Sequence, residues 1–386
     1  MALTMVVTGD NHLNYYNQKM GSRLTDRRVW IGRAWRQTID YAIEKEVDLY
    51  LHLGDLFDQI SPRNPPRARV VEAFRDLHEA GIETFILAGN HEAPASIRDG
   101  ASPHSVIDEA GFATVFENAL NFEHKIIDIG GRSVSVAGIS YNKRLVPGMD
   151  PLEDLTIPAG ADFNIAMLHY SVERVAPPTW GGPQISINSL EQNRQIDLFA
   201  MGHIHAHVSK KVGDSLVLYP GATERYDFGE SGHETGFCYV TVDDGIEFEF
   251  IPTKAQPMSQ LKLHTSSLSP ENPTQDILKA VEQGSSEDGL CQLVLEGEVP
   301  FEEYLKIDFT RIGDEGRKRN FYFEYIDRIK PLIEGLKFIE TEGLHPRKEL
   351  SASGQQAVES SNPDKRKLWE RAAQLALSFY DKHWES

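Results

Sequence analysis

Three short apolar runs, at residues 5–8, 48–53 and 83–88, each give way to a polar cluster and then to a stretch of helical periodicity. In the first stretch Trp30, Ala34, Trp35, Ile39, Ala42 and Ile43 recur at helical spacing; in the second, Val70, Phe74 and Leu77 form a stripe behind Pro66. Strands alternating with helices predict βαβ units and a parallel sheet with right-handed crossovers. The working residues of such a sheet sit just beyond the carboxyl ends of its strands. From about residue 120 the period changes to two. Residues 121–140 alternate on both sides of Gly130 and Gly131, which predicts a hairpin, and 163–171, 197–207, 215–222 and the runs flanking 243–245 predict further strands. Two sheets with helices outside them follow, an α/β fold class.

The pattern loosens after residue 255. Residues 256–345 predict a small α+β domain with a helix at 275–282, a strand at 291–295 and a helix at 321–330 stopped by Pro331. Residues 346–364 are polar and turn-rich without period, so they read as a flexible linker. In 365–386 Leu368, Ala372, Leu375, Ala376 and Phe379 share one face of an amphipathic helix. The expected organisation is therefore 1–255, 256–345, 346–364 and 365–386.

Composition narrows the class. A chain of 386 residues with 40% hydrophobic content suits one large domain plus smaller additions. Cys238 and Cys291, its 2 cysteines, build neither a disulfide framework nor a thiolate zinc site. No apolar run approaches the roughly 20 residues that span a bilayer, and the first residues lack a basic region ahead of an apolar one, so a soluble cytoplasmic protein is expected. The formal charge of -19 argues against non-specific coating of nucleic acid, although a local basic groove can hold a phosphate backbone.

The chemistry lies at the strand ends. Asp10-Asn11-His12 follows the first, Gly54-Asp55-Leu56-Phe57-Asp58 the second and Gly89-Asn90-His91-Glu92 the third; then come His169 and Gly202-His203-Ile204-His205. D-x-H and H-x-H put two side chains on one side of an extended chain, so both can ligate from one edge. Taken singly, Asp10 reads as a helix cap, Asp55 as a turn residue, Asn90 as an Asx-turn and His169 or His203 as a satisfied buried imidazole. Taken in order at five predicted strand ends, they point to one metal-binding site. His207 stays outside the set.

In that order the motifs D-x-H, GDxxD, GNHE, H and GHxH resemble the calcineurin-like metallophosphoesterases over residues 3–255. Within them, GDLFDQISPRNPP, GNHEAP and YPGATERYDFGE most resemble the SbcD-type nucleases of DNA double-strand-break repair. The resemblance implies a β-sandwich of two mixed sheets flanked by helices, with a small α+β capping domain and a C-terminal helix. It also implies a two-metal site, one ion on Asp10, His12, Asp55 and His205 and the other on Asp55, Asn90, His169 and His203, with Asp55 bridging. Manganese is the metal it suggests; iron or zinc also suits this nitrogen and oxygen donor set. His91, left without a metal, becomes the general acid or phosphate stabiliser. Two positions depart from the pattern: Asp58 stands where many relatives carry a second histidine, and Glu92 where the usual acid is Asp.

The implied activity is a manganese-dependent DNA exonuclease or endonuclease, working at duplex ends as the nuclease subunit of a break-repair complex. The implied partner is an SbcC-like SMC-family ATPase bound by the C-terminal helix; the chain would also homodimerise and associate with the nucleoid. Arg63, in the loop after GDLFD, is the arginine placed to reach a phosphate. The group from Lys19 to Arg36 reads equally as a solvated face or a DNA contact; Arg67 and Arg69 follow the second metal cluster, and Arg311, Arg317, Lys318 and Arg319 lie in the small domain, which the resemblance implies caps the nuclease and helps hold the duplex. The same fold and metals serve a phosphodiesterase for a small cyclic nucleotide. A scaffold with a vestigial site is the third reading, and the complete set of expected ligands argues against it.

Overall fold

The computed structural model describes residues 2–94, 101–176, 182–332, 346–362 and 365–384. The chain begins with β1 (Leu3–Thr8), α1 (Leu24–Glu44), β2 (Leu49–His52), α2 (Asn64–Glu79), β3 (Glu83–Leu87), α3 (Ser105–Glu109) and β4 (Thr114–Phe116). It continues through β5 (Glu123–Ile129), β6 (Arg132–Gly138), β7 (Phe163–His169), β8 (Ser171–Val172), β9 (Gln184–Ile185), α4 (Ile187–Gln192), β10 (Leu198–Gly202), β11 (Val208–Val212), β12 (Ser215–Tyr219), β13 (Gly236–Val242) and β14 (Ile246–Pro252). One six-stranded sheet has the order β14-β13-β1-β2-β3-β4, and a second has the order β11-β12-β10-β7-β6-β5. In the first, β1 to β4 run parallel and β13 is antiparallel to β1; in the second, β6, β7, β10 and β12 run parallel between antiparallel edges. Both sheets are mixed, as the resemblance implied.

Alternation along the strands builds the layers. Met5 and Val7 of β1, Leu49 and Leu51 of β2, Phe85 and Leu87 of β3 meet Ile165 and Met167 of β7 and Leu198 and Ala200 of β10 between the sheets. Val6, Tyr50 and Ile86, one residue out of phase, face Ile31, Trp35 and Ile39 of α1 and Val70, Phe74 and Leu77 of α2. On the far side, Ala166, Leu168, Phe199 and Met201 pack with Tyr170, Leu190 and Tyr219. Strands buried on both faces read as continuous apolar runs, which is why the first three were recognisable.

A third sheet of order β15-β16-β17 follows in the same compact unit, residues 1–331, with β15 (Met258–His264), α5 (Pro273–Gly284), β16 (Leu290–Pro300), α6 (Phe301–Tyr304), α7 (Phe309–Arg319) and β17 (Tyr322–Leu332). Ile277, Val281, Leu293, Leu295, Ile312 and Phe323 form its core. Residues 321–330 are thus a strand and not the expected helix; the helix is the preceding segment, α7. Aromatic and β-branched residues favour a pleated surface, and the buried pair Phe323 and Ile329 is separated by an even number, as a strand requires. Pro331 is accommodated because β17 is an edge strand.

The segment expected to be a flexible linker is also corrected. Residues Pro346–Glu359 form α8, and Arg366–Trp384 form α9, within a second compact unit at 332–386. The low intrinsic propensity of Ser and Gly is overridden by packing of one helix on the other. At Gly354 the helices approach so closely that a Cβ would lie 2.7 Å from that of Ala373. Ala373 and Leu377 turn partly inward on α9, whereas the stripe of Leu368, Ala372, Leu375 and Ala376 is exposed. The side chain of Phe379 and residues 333–345 lie outside the described residues. Among the described residues, no helix is long and apolar enough to cross a membrane.

Hydrogen exchange of residues 346–359 distinguishes helix from linker: amides of α8 exchange slowly in the wild type and at the rate of an unstructured chain in Gly354→Val, where the added methyls drive the helices apart. Fast exchange in both proteins would restore the linker.

Candidate metal centre

Five strands bring their carboxyl ends to one edge of the sandwich. β1 delivers Asp10 and His12, β2 Asp55, β3 Asn90 and His91, β7 His169, and β10 His203 and His205. The chain leaves these strands through left-handed backbone at four of those side chains, with φ of 52° at Asp10, 49° at His12, 51° at Asp55 and 85° at His203. Such conformations cost on the order of 1–3 kcal/mol each and persist where surrounding bonds over-determine them. Here the Asp10 amide donates to the Gly54 carbonyl at 3.0 Å, the His12 amide to the Asp55 carbonyl at 2.9 Å, and the His203 amide to the Asp10 carboxylate at 3.1 Å. Two glycines permit the approach: a Cβ on Gly89 would collide with the Asp55 carboxylate, and one on Gly202 with the Leu53 carbonyl.

The donors fall into two groups that share Asp55. In one, His12 Nε2 lies 3.1 Å from His205 Nε2 and 3.9 Å from Asp55 Oδ2, and His205 Nε2 lies 4.0 Å from Asp10 Oδ1. In the other, Asn90 Oδ1 lies 3.0 Å from His169 Nε2 and 2.8 Å from His203 Nδ1, and His169 Nε2 lies 3.3 Å from Asp55 Oδ2. All seven side chains expected from the sequence converge. Asp10, His12 and His205, and Asp10, Asp55 and His169, place nitrogen and oxygen atoms close enough together to hold a divalent metal ion.

The groups behind the donors fix their orientation. His169 Nδ1 donates to the Leu53 carbonyl at 2.7 Å, and His205 Nδ1 to the Glu230 carboxylate at 2.6 Å, leaving each Nε2 turned into the cluster. Buried imidazole backed by carboxylate or carbonyl is the usual support of a metal-ligating histidine. Glu230 was missed in the sequence because it follows His205 by 25 residues in a loop without metal-ligand spacing. Glu92, whose role the sequence left open, is fully buried; its carboxylate accepts from the Phe57 and Gly89 amides and lies 2.9 Å from His104 Nε2. It thereby ties the loop after β2 to the loop after β3.

Charge balance follows the geometry. Burial opposes a charge on His169, yet the Asp55 and Asp10 carboxylates outweigh it and push the imidazole up to about 9. Against the same burial, Glu230 pushes His205 up to about 9. Burial and then the neighbouring His169 push His203 down to about 3. Burial raises Asp10, whereas at Asp55 His169 overcomes burial and holds the carboxyl well below its ordinary range.

His91 lies beside the donor groups and clusters with His12 and Asp58. Its amide donates to Asp55 Oδ1 at 2.9 Å, and its Nδ1 lies 3.0 Å from the Asp58 carbonyl and 3.5 Å from the Asp58 carboxylate. Asp58, the residue in place of a second histidine, also lies 3.5 Å from His12 Nδ1. Tyr226 packs against both imidazoles, with ring centroids 4.7 Å from His12 and 6.0 Å from His91; burial and Asp58 push its phenol upward. His207 is outside the cluster, with Nδ1 donating to the Tyr219 carbonyl at 2.9 Å.

Arg63 is exposed at the start of α2. Of the other basic groups, Arg27 is buried against Glu224 at 3.3 Å, Arg36 pairs with Asp40 and Asp76, and Arg317, Lys318 and Arg319 pair with Asp314, Glu315 and Glu282. Arg27, Arg317, Lys318 and Arg319 are accordingly paired with carboxylates.

In metal-free protein the His205 titration tests the Glu230 contact. Imidazole proton resonances followed against pH give a midpoint near 9 for His205 in the wild type. In Glu230→Gln that midpoint moves down, while that of His169, held by Asp55 and Asp10, keeps its place.

Residues 3–207 match the family described as calcineurin-like phosphoesterase. The chain is 26% identical over 227 residues to the DNA double-strand break repair protein Mre11 of Methanocaldococcus jannaschii, covering 58% of this chain and 57% of that one. It is 28% identical over 220 residues to the protein of the same name in Thermoplasma acidophilum, covering 56% and 54%, and 23% identical over 342 residues to that of Saccharolobus solfataricus, covering 85% and 84%. The chain thus spans little more than half the length of the first two. With the family match extending over more than half of its length, from β1 through the His203 and His205 motif, this chain belongs to the calcineurin-like phosphoesterase family.

Proposed function

We propose that this chain is a metal-dependent DNA nuclease, the phosphodiester-hydrolysing subunit of a double-strand-break repair complex. The observation that carries the reading is the convergence of seven donors in two groups around Asp55, with His91 beside them and its amide bonded to Asp55. Asp10, His12, Asp55 and His205 would hold one ion and Asp55, Asn90, His169 and His203 the other; the donor set suits manganese, and iron or zinc as alternatives. When bound, such a pair neutralises phosphate charge and activates water for in-line displacement.

The chain's own residues do the rest. Asp58 holds His91 through Nδ1, so that Nε2 remains available to donate a proton to the leaving oxygen. Asp58 and Tyr226 together fix the rings of His12 and His91. Arg63 is the first cation after the Asp55 loop and would meet the phosphate backbone. The likeness to archaeal break-repair proteins supports DNA as the substrate. The exposed face of α9, with Leu368 and Leu375, supports a docking role toward an SbcC-like ATPase.

Two measurements test the reading. With Mn²⁺ and end-labelled linear DNA, the wild type releases label, Asp55→Asn does not, and His91→Gln binds metal normally but is slower by about 10²–10⁴-fold. Hydrolysis of bis-p-nitrophenyl phosphate with DNA left intact would favour the small-substrate phosphodiesterase instead. Metal loading at pH 7 releases protons, because His169 and His205, both near 9, must give theirs up to ligate. Titration calorimetry in buffers of differing ionisation enthalpy reads that release, and apparent affinity rises with pH until about 9. Loading without proton release would exclude these two imidazoles as ligands.

A further inference from the structure

The two arginine groups that bracket the Asp55 motif in the sequence face each other in the fold. α1 and α2 enclose a cavity of about 530 Å³, lined on its charged side by Arg28, Arg33, Arg36, Arg63 and Arg69 against the single carboxylate of Glu72. Arg36 is engaged by Asp40 and Asp76. Arg28 spends only Nε, on the Tyr15 carbonyl at 2.7 Å. Among the described residues, no carboxylate lies within ion-pair distance of Arg28, Arg33, Arg63 or Arg69. In a chain of net charge -19, four guanidinium groups left without acids around one cavity mark a place for an anion.

A second observation comes from the cavity's inner wall. Asn14 is 5% exposed, sits in left-handed backbone at φ 67°, and its Nδ2 is a buried donor with no partner. A buried amide without an acceptor costs about 1–3 kcal/mol, which a ligand oxygen would recover. Asn14 is also two residues beyond His12, and its neighbour Leu13 bonds across to the loop that carries Asp55 and Asp58. The cavity wall at Leu13 and Asn14 is therefore continuous with the loops that carry His12 and Asp55. Its remaining wall is apolar, formed by Val29, Trp35, Pro65 and Pro66.

We infer that this cavity is a subsite for a second phosphate of the substrate, taking the nucleotide unit next to the one cleaved. Asn14 Nδ2, Arg28, Arg33, Arg63 and Arg69 grip the phosphate, and the apolar wall faces the sugar and base. The inference rests on the phosphodiesterase reading and sharpens it. A cyclic nucleotide has one phosphate and leaves these cations unused, whereas a nucleic-acid strand supplies a phosphate at every step.

The test uses the full chain and Arg33→Gln/Arg69→Gln, two exposed positions outside the metal cluster. Binding of a fluorescent single-stranded oligonucleotide, followed by anisotropy in EDTA, weakens about tenfold in the double variant. The slope of log affinity against log salt falls by about 1.4, roughly 0.7 for each arginine that no longer neutralises a phosphate. With metal restored, the ratio of kcat/KM for the oligonucleotide to that for bis-p-nitrophenyl phosphate falls about tenfold, through KM. An unchanged salt slope, or an equal fall in kcat/KM on both substrates, overturns the subsite and leaves the nuclease reading standing. A wild type that cleaves the small diester but neither binds nor cuts the oligonucleotide overturns both.

Discussion

Burying the carboxylate of Asp55 is the constraint around which the rest is arranged. A carboxylate at 2% exposure is tolerated only where cationic or donor groups surround it. The His91 amide, His169 and His12 supply them from three other strand ends. That in turn requires β1, β2, β3 and β7 to end together, which parallel strands in two facing sheets achieve and an antiparallel meander would not. The apolar alternation of those strands supplies the stability that offsets left-handed backbone and concentrated charge at the edge.

The seven converging donors and His91 were legible in the sequence because each follows its strand within a few residues. Local chemistry and local structure coincide there. Tyr226 and Glu230 lie within the YPGATERYDFGE motif, but their contacts, like those of Glu92, were not legible, since each acts on a residue far along the chain and has no metal-ligand spacing of its own. The strand at Tyr322–Leu332 was misread because acidic and basic residues interspersed with aromatics mimic a helical stripe over one or two turns. The helix at Pro346–Glu359 escaped notice because its stability comes from the helix beside it.

Charge was the least legible property. Six cations between residues 19 and 36 look alike in the sequence. In the fold Arg27 is a buried strut joining α1 to Glu224, Gln256 and the Arg225 carbonyl, and Lys19 reaches Glu324 on the third sheet. Only their partners separate a structural arginine from one left over for a ligand.

The carboxylate of Glu92 couples the two halves of the centre. By accepting from the backbone at Phe57 and Gly89 it makes the loops after β2 and β3 a single mechanical piece, and those loops carry Asp55 and Asn90. Local opening at either loop must break the same hub, so both halves share one opening equilibrium. Loosening that carboxylate would therefore release the Asp55 and Asn90 loops together and not one at a time.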